Sequence, residues 1–196
     1  MTLLSQLLYW ITTGLLIPTV ALLIVLVVRA LVLTGSTIAT ALDRRRYGSE
    51  LDRALSAADV NRRVLTEIRL PKNAPLARTM ADLDVLGSDT AQAQRILAAL
   101  EIVHERRIAD TRLLARVGPM LGLMGTLIPL GPALLGLAEG DLNALAENML
   151  VAFATTVVGL MIGGIGFTLQ QSRQRWAAED MARAEFAATL CGRERT

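Results

Sequence analysis

The chain is poor in the side chains that most protein chemistry needs. It has one cysteine and one histidine in 196 residues, and aromatics make up only 4%. A single Cys191 excludes an intramolecular disulfide, and a single His104 leaves no histidine cluster for a metal centre. Cys191 reads as an incidental residue of the tail. His104 stands among Glu101, Glu105, Arg106 and Arg107 in a helical pattern and reads as a solvated or packed side chain rather than a pH sensor. There is no Gly-rich phosphate loop and no catalytic triad motif. Since no loop or span assembles a nucleophile, a base and metal ligands, the chain does not read as an enzyme, and neither a cofactor nor a metal is expected.

Charge is missing too, over long stretches. Leu7–Val28, Val117–Ala138 and Met149–Leu169 contain no Asp, Glu, Lys, Arg or His. As helices rising ~1.5 Å per residue, each run is about 30 Å or longer, enough to cross the hydrocarbon core of a bilayer. With 53% hydrophobic residues and a mean hydropathy of +0.45, the composition is too apolar for an ordinary soluble domain. The reading is an all-α integral membrane protein with three transmembrane helices.

The basic residues give its orientation. Of 20 Lys and Arg, Arg29 follows the first run, 14 lie between Arg44 and Arg116, and five between Arg173 and Arg195. This is a positive-inside distribution and not a nucleic-acid patch. It predicts an outside N-terminus, a cytoplasmic insert and a cytoplasmic C-terminal tail, with Tyr9 and Trp10 at the outer interface. The link over 139–147 carries Glu139, Asp141 and Glu147 with no basic residue and is expected outside. Arg173, Arg175 and Trp176 read as an anchor at the inner interface. The parts are then an N-terminal transmembrane helix (1–42), a helical insert (43–116), a two-helix membrane hairpin (117–172) and a helical tail (173–196).

Ala39-Thr40-Ala41 resembles a signal-peptide cleavage site. The apolar run before it is too long for a signal peptide, and no basic residue precedes that run, so the helix is expected to stay. Pro18 removes one backbone bond, which Thr19 or a neighbouring helix can help satisfy, and predicts a mild bend. Within the insert, Leu51, Ala54, Leu55, Ala58, Leu65 and Ile68 form one apolar helical face, which Pro71 and Pro75 break. Leu76, Met80 and Leu83 begin a short helix ended by Gly87. Ser88 is placed to cap a third helix through Ile96, Leu97, Leu100, Val103 and Ile108. Nothing breaks that helix before Gly118, so it is expected to pass from cytoplasm into membrane unbroken. The insert is too small for a large core of its own and is expected to pack on copies of itself or on extended transmembrane helices.

Small residues fall into stripes on the last two spans. Gly118, Gly122, Gly125 with Thr126, Pro129, Ala133 and Gly136 recur at steps of three and four, as do Asn148, Ala152, Thr156, Gly159, Gly163, Gly166 and Gln170. Such stripes suit close helix packing, and they suit a narrow water or ion path; the two are compatible. Because a three-span monomer has too few helices to cover such faces on all sides, a closed homo-oligomer is expected. Pro129 leaves the Gly125 carbonyl without a helical donor, free for water or a hydroxyl or simply marking a kink.

Gly118-Pro119-Met120-Leu121-Gly122-Leu123-Met124-Gly125-Thr126 resembles the second-helix signature of the MotA/TolQ/ExbB proton channel family. Ala154-Thr155-Thr156-Val157-Val158-Gly159-Leu160 resembles its third-helix signature, in the right order and spacing. The resemblance implies an inner-membrane subunit that forms a ring, pentameric in the family, around single-span partner helices and uses proton flow to drive them. It implies that Thr126 and Thr156 correspond to inward-facing threonines near the partner's carboxylate. ExbB- and TolQ-like members carry a Glu five positions before the third-helix Thr, where this chain has Val151. Pro129 and Pro132 are further departures.

The residues expected along the ion path are therefore Thr126, Thr156, Thr155, Asn148, Gly122 and Gly159, and those expected to pack helices are Gly118, Gly125, Gly163 and Gly166. Since no span holds a titratable side chain, the chain alone is not a complete proton relay, and a partner bearing an intramembrane Asp is expected. The other reading is a non-conducting membrane scaffold whose glycines only pack.

Overall fold

A computed structural model of the chain describes residues 14–58, 75–86 and 89–192. They form four helices: α1 (Leu16–Ala58), α2 (Pro75–Leu86), α3 (Thr90–Glu139) and α4 (Leu142–Gly192), with no strand among the described residues. α1, α3 and α4 are long and apolar enough to cross a membrane. The Tyr9 and Trp10 interface, the Gly87 stop and the apolar face at Leu65 and Ile68 lie outside the described residues.

Local chemistry sets the helix ends. α3 starts on Asp89, whose Oδ1 accepts the Ala91 amide at 3.1 Å and whose carbonyl accepts the Ala93 amide at 2.9 Å. The N-cap is thus Asp89, one residue after the expected Ser88, which lies outside the described residues. α3 then runs unbroken through Pro119, Pro129 and Pro132. It ends at Gly140, whose φ of 80° is a left-handed conformation that glycine adopts without a Cβ clash. The Gly140 amide donates to Leu137 O and the Asp141 amide to Gly136 O, a Schellman closure. Asp141 at once caps α4, its Oδ1 accepting the amides of Asn143 and Ala144 at 3.0 Å each. The link between the spans is therefore only Gly140 and Asp141, much shorter than 139–147, and Glu147 sits within α4. At the other end of the first span, Pro18 falls in the first turn of α1. Thr19 gives both its amide and its hydroxyl to Leu15 O, not to the Gly14 carbonyl that proline at position 18 deprives of a donor.

The described residues divide into two compact units: one of residues up to Thr34 with Thr111–Gln170, the other of Gly35–Asp110 with Gln171 onward. In the first, Leu23, Leu26 and Ala30 of α1 bury against Leu114 and Leu121 of α3 and Ile162 of α4. The remaining faces of α1 expose Ile17, Leu22, Ile24, Val25, Val28, Leu31 and Val32, as a lipid-facing helix would.

The second unit has a small apolar core of Leu76, Met80 and Leu83 from α2, Ala93 and Leu100 from α3, and Ala184 and Ala187 from α4. Its polar centre is Asp180, buried on α4. The carboxylate pairs with Arg44 of α1, lies 3.3 Å from His104 Nε2 of α3, and is 4.0 Å from Arg183. His104 Nε2 is buried there and makes no well-aligned hydrogen bond. Arg44 also reaches Glu179 and the Trp176 carbonyl and stacks 5.4 Å over the Trp176 ring. Arg173 donates to Arg107 O at 2.6 Å and Thr37 Oγ1 at 3.2 Å. Burial, then the charge of Arg107, lower the Arg173 pKa while Asp110 raises it, and a guanidinium stays protonated throughout. Arg173 and Trp176 thus hold helices together. Cys191 is buried.

Candidate functional site

The hairpin of α3 and α4 is built on backbone contact. A Cβ placed on Gly118 would meet Gly159 O and Gly163 N at 3.0 Å, and one on Gly122 would meet Gly159 Cα at 3.1 Å. From the other side, a Cβ on Gly159 would meet Gly122 Cα at 2.6 Å and Gly118 O at 2.7 Å. Gly163 receives the Pro119 ring, Gly166 lies against Leu114 and Ala115, Gly125 sits under the Thr155 side chain, and Gly136 lies against Ala144. At Gly159 and Gly166 a Cβ would run into backbone at less than 3.0 Å, so only a shift of a helix makes room there, which is the small-residue logic of membrane helix pairs. These pairs run in opposite directions along the two helices, so the register is antiparallel.

The buried stripes differ in phase from the ones the sequence pattern predicts. On α4 the buried positions are Ala152, Thr155, Gly159, Ile162, Gly163, Gly166 and Leu169, with Thr156 and Gln170 only half-buried. On α3 they are Gly118, Leu121, Gly122, Gly125, Ile128, Pro129, Ala133 and Gly136, with Thr126 half-buried. The physical reason is α1: it packs on one flank of the hairpin and buries Leu121 and Ile162, turning each buried face toward itself. Thr155 shares its phase with Ala152, Gly159 and Ile162, so a stripe drawn to include larger apolar residues would have found it.

This shift separates the three threonines. Thr155 lies inside the contact over Gly125 and donates to Val151 O and Ala152 O, each at 3.0 Å. Thr126 donates to Leu123 O at 2.7 Å and Thr156 to Ala152 O at 3.0 Å. At 100° per residue, Thr126 and Thr156 are each rotated about 65–80° from the centre of their contact stripe in the same sense of helix rotation. For an antiparallel pair this puts both on one side of the hairpin, the side away from α1. Because Gly125 faces Thr155, Thr126 and Thr156 also lie at nearly the same level. Each hydroxyl spends its proton on its own helix and keeps lone pairs to accept from water or a donor. Asn148, half-buried on the contact side, donates from Nδ2 to Ala144 O at 2.8 Å. Val151 is exposed.

Thus Gly118, Gly122, Gly125, Gly159, Gly163 and Gly166 are consumed by contact within one chain. A closed oligomer cannot be argued from uncovered glycine faces. What this chain leaves open is the flank carrying Thr126 and Thr156, with Leu123, Leu130, Phe153 and Leu160 exposed around them.

Residues 71–185, more than half of the chain and including the whole hairpin, match the model of the MotA/TolQ/ExbB proton channel family. The chain belongs to this family. It is a membrane subunit of proton channel type, and both stretches of resemblance fall within the matched residues. Searches of curated proteins and of solved structures gave no match. In family terms the match covers α2, α3 and most of α4, while α1 lies before it. Among the described residues, no group of His, Cys, Asp or Glu is placed to hold a metal ion.

Proposed function

We propose that the chain is the ring-forming subunit of a proton-motive-force-driven channel or motor in the cell inner membrane. In this reading a ring, five copies as in the family, surrounds a partner whose single span carries an intramembrane Asp, and proton passage between them drives the partner. The reading is supported above all by two hydroxyls, Thr126 and Thr156, at one level on a flank that the chain itself does not cover. The runs Val117–Ala138 and Met149–Leu169 that carry that flank hold no Asp, Glu, Lys, Arg or His, so a titrating group at that level must come from elsewhere. In this reading the chain works by passing protons to a partner and not as an enzyme.

The scaffold reading draws on the glycine contacts of the hairpin, which need no ion path. The two readings part in one experiment. The chain is reconstituted into vesicles alone and together with the single-span product of a neighbouring gene, under an imposed proton gradient. Proton uptake is expected only when both are present; equal background flux in both samples would favour the scaffold.

The proposal also sets the orientation: residues 43–116 and the tail inside, the Gly140–Asp141 turn outside. In a Cys191→Ser background, Asn143→Cys should react with an impermeant thiol reagent from the outer face of the membrane. Labelling from the cytoplasmic face alone would reverse the topology.

A further inference from the structure

α2 and α3 enclose an open groove of about 880 Å³ in the second unit, lined by Pro75, Thr79, Ile96, Ala99, Leu100 and Val103 together with Arg78, Arg95, Arg107 and a single acid, Asp82. None of the three arginines has an ion-pair partner among the described residues. Three guanidinium groups in one groove against one carboxylate leave a cationic seat with an apolar floor. On α3, Arg95 and Arg107 stand about 18 Å apart along the axis, too far for one phosphate or another compact anion to satisfy both. A protein face that carries more than one acid can reach several of them at once.

Such a surface is present on the same helix. Glu101 and Glu105 are exposed and likewise lack an ion-pair partner among the described residues, with Ile102 exposed beside them. At 100° per residue they lie about 180° around α3 from the centre of the groove-lining positions. A chain therefore cannot bring its own acids to its own groove. Glu101 and Glu105 also fall between Arg95 and Arg107 in height. In a ring whose axis runs along the long helices, copies meet at equal heights, and each copy presents two different faces to its two neighbours.

We propose that the α2/α3 groove of one copy receives the Glu101/Glu105 face of the next, forming a heterologous interface that closes the ring. The proposal rests on the ring-forming reading and adds to it which surfaces join and in what sense.

The test uses the full-length protein in mild detergent, read by native mass measurement. Arg95→Glu with Arg107→Glu should reduce the multimer at least tenfold, and so should Glu101→Arg with Glu105→Arg. All four changes in one chain should restore it to at least half of the unmodified level. Loss in both doubles without recovery in the fourfold variant would overturn the interface, as would a multimer unchanged by either double. A second measurement keeps every charge. Light and isotopically heavy copies of the Arg95→Lys, Arg107→Lys variant are mixed, assembled and treated with a carbodiimide. Heavy-to-light amide links from positions 95 or 107 to Glu101 or Glu105 are expected; an intact multimer without them overturns the interface while leaving the ring. A monomeric unmodified chain would remove the ring reading itself.

Discussion

Gly159→Ala should loosen or break the membrane hairpin, while Gly164→Ala, five residues further along the same helix, should leave it intact. The new Cβ at Gly159 would meet Gly122 Cα at 2.6 Å, Gly118 O at 2.7 Å and Gly122 N at 2.9 Å. All three are backbone atoms, which no rotamer change can move aside. Relief comes only from separating α3 and α4, which also unseats the neighbouring contacts at Gly118 and Gly163. Overpacking of this kind costs about 1–3 kcal/mol. A Cβ at Gly164 meets nothing within 4 Å, and alanine there gains helix propensity over glycine of ~1 kcal/mol on the soluble-helix scale. Thermal denaturation of both variants in one detergent checks the contrast. Equal midpoints would mean that the hairpin is not held by this contact.

The other large effect concerns function rather than stability. Thr126→Val and Thr156→Val should leave assembly unchanged and abolish proton-coupled work when the partner is present. Valine keeps the shape and removes the only groups at that level of the open flank that can accept from water or face a partner carboxylate. Thr155→Val should be milder, because Thr155 is buried against Gly125, away from the open flank. Proton flux, or the driven phenotype in cells at matched membrane levels, provides the readout. Full activity in both Thr126→Val and Thr156→Val would remove these residues from the mechanism.

Much of this fold was legible in the sequence because each helix is long and charge-free where it crosses the membrane. The continuity of α3 through Gly118 follows from the lack of a breaker, and Leu76, Met80 and Leu83 are buried on a short helix as their spacing predicts. Other features depend on tertiary partners. Periodicity gives the existence of a stripe on α4, but its phase is decided by α1, which draws Ile162 inward and leaves Thr156 at the edge. Charge patterning places Arg173 and Trp176 at an interface, but only packing shows Arg173 reaching Arg107 O and Thr37. Likewise, a lone His104 carries no signal for Asp180 across the helix pair.

The contacts of the hairpin are nested around its turn: Gly136 with Ala144, then Gly125 with Thr155, Gly122 with Gly159, and Gly118 with Gly163. Each pair closes a loop that contains the one already closed, so each step orders only the residues between the two pairs and adds little entropic cost. The two spans can zip together from Gly140 as they emerge, without waiting for any distant segment. The docking of Leu23, Leu26 and Ala30 of α1 onto Leu114, Leu121 and Ile162 must instead close loops that contain the whole insert, and contacts of such sequence separation form late. The assembly order follows from the register: hairpin first as a finished unit, then α1 laid along the flank opposite Thr126 and Thr156.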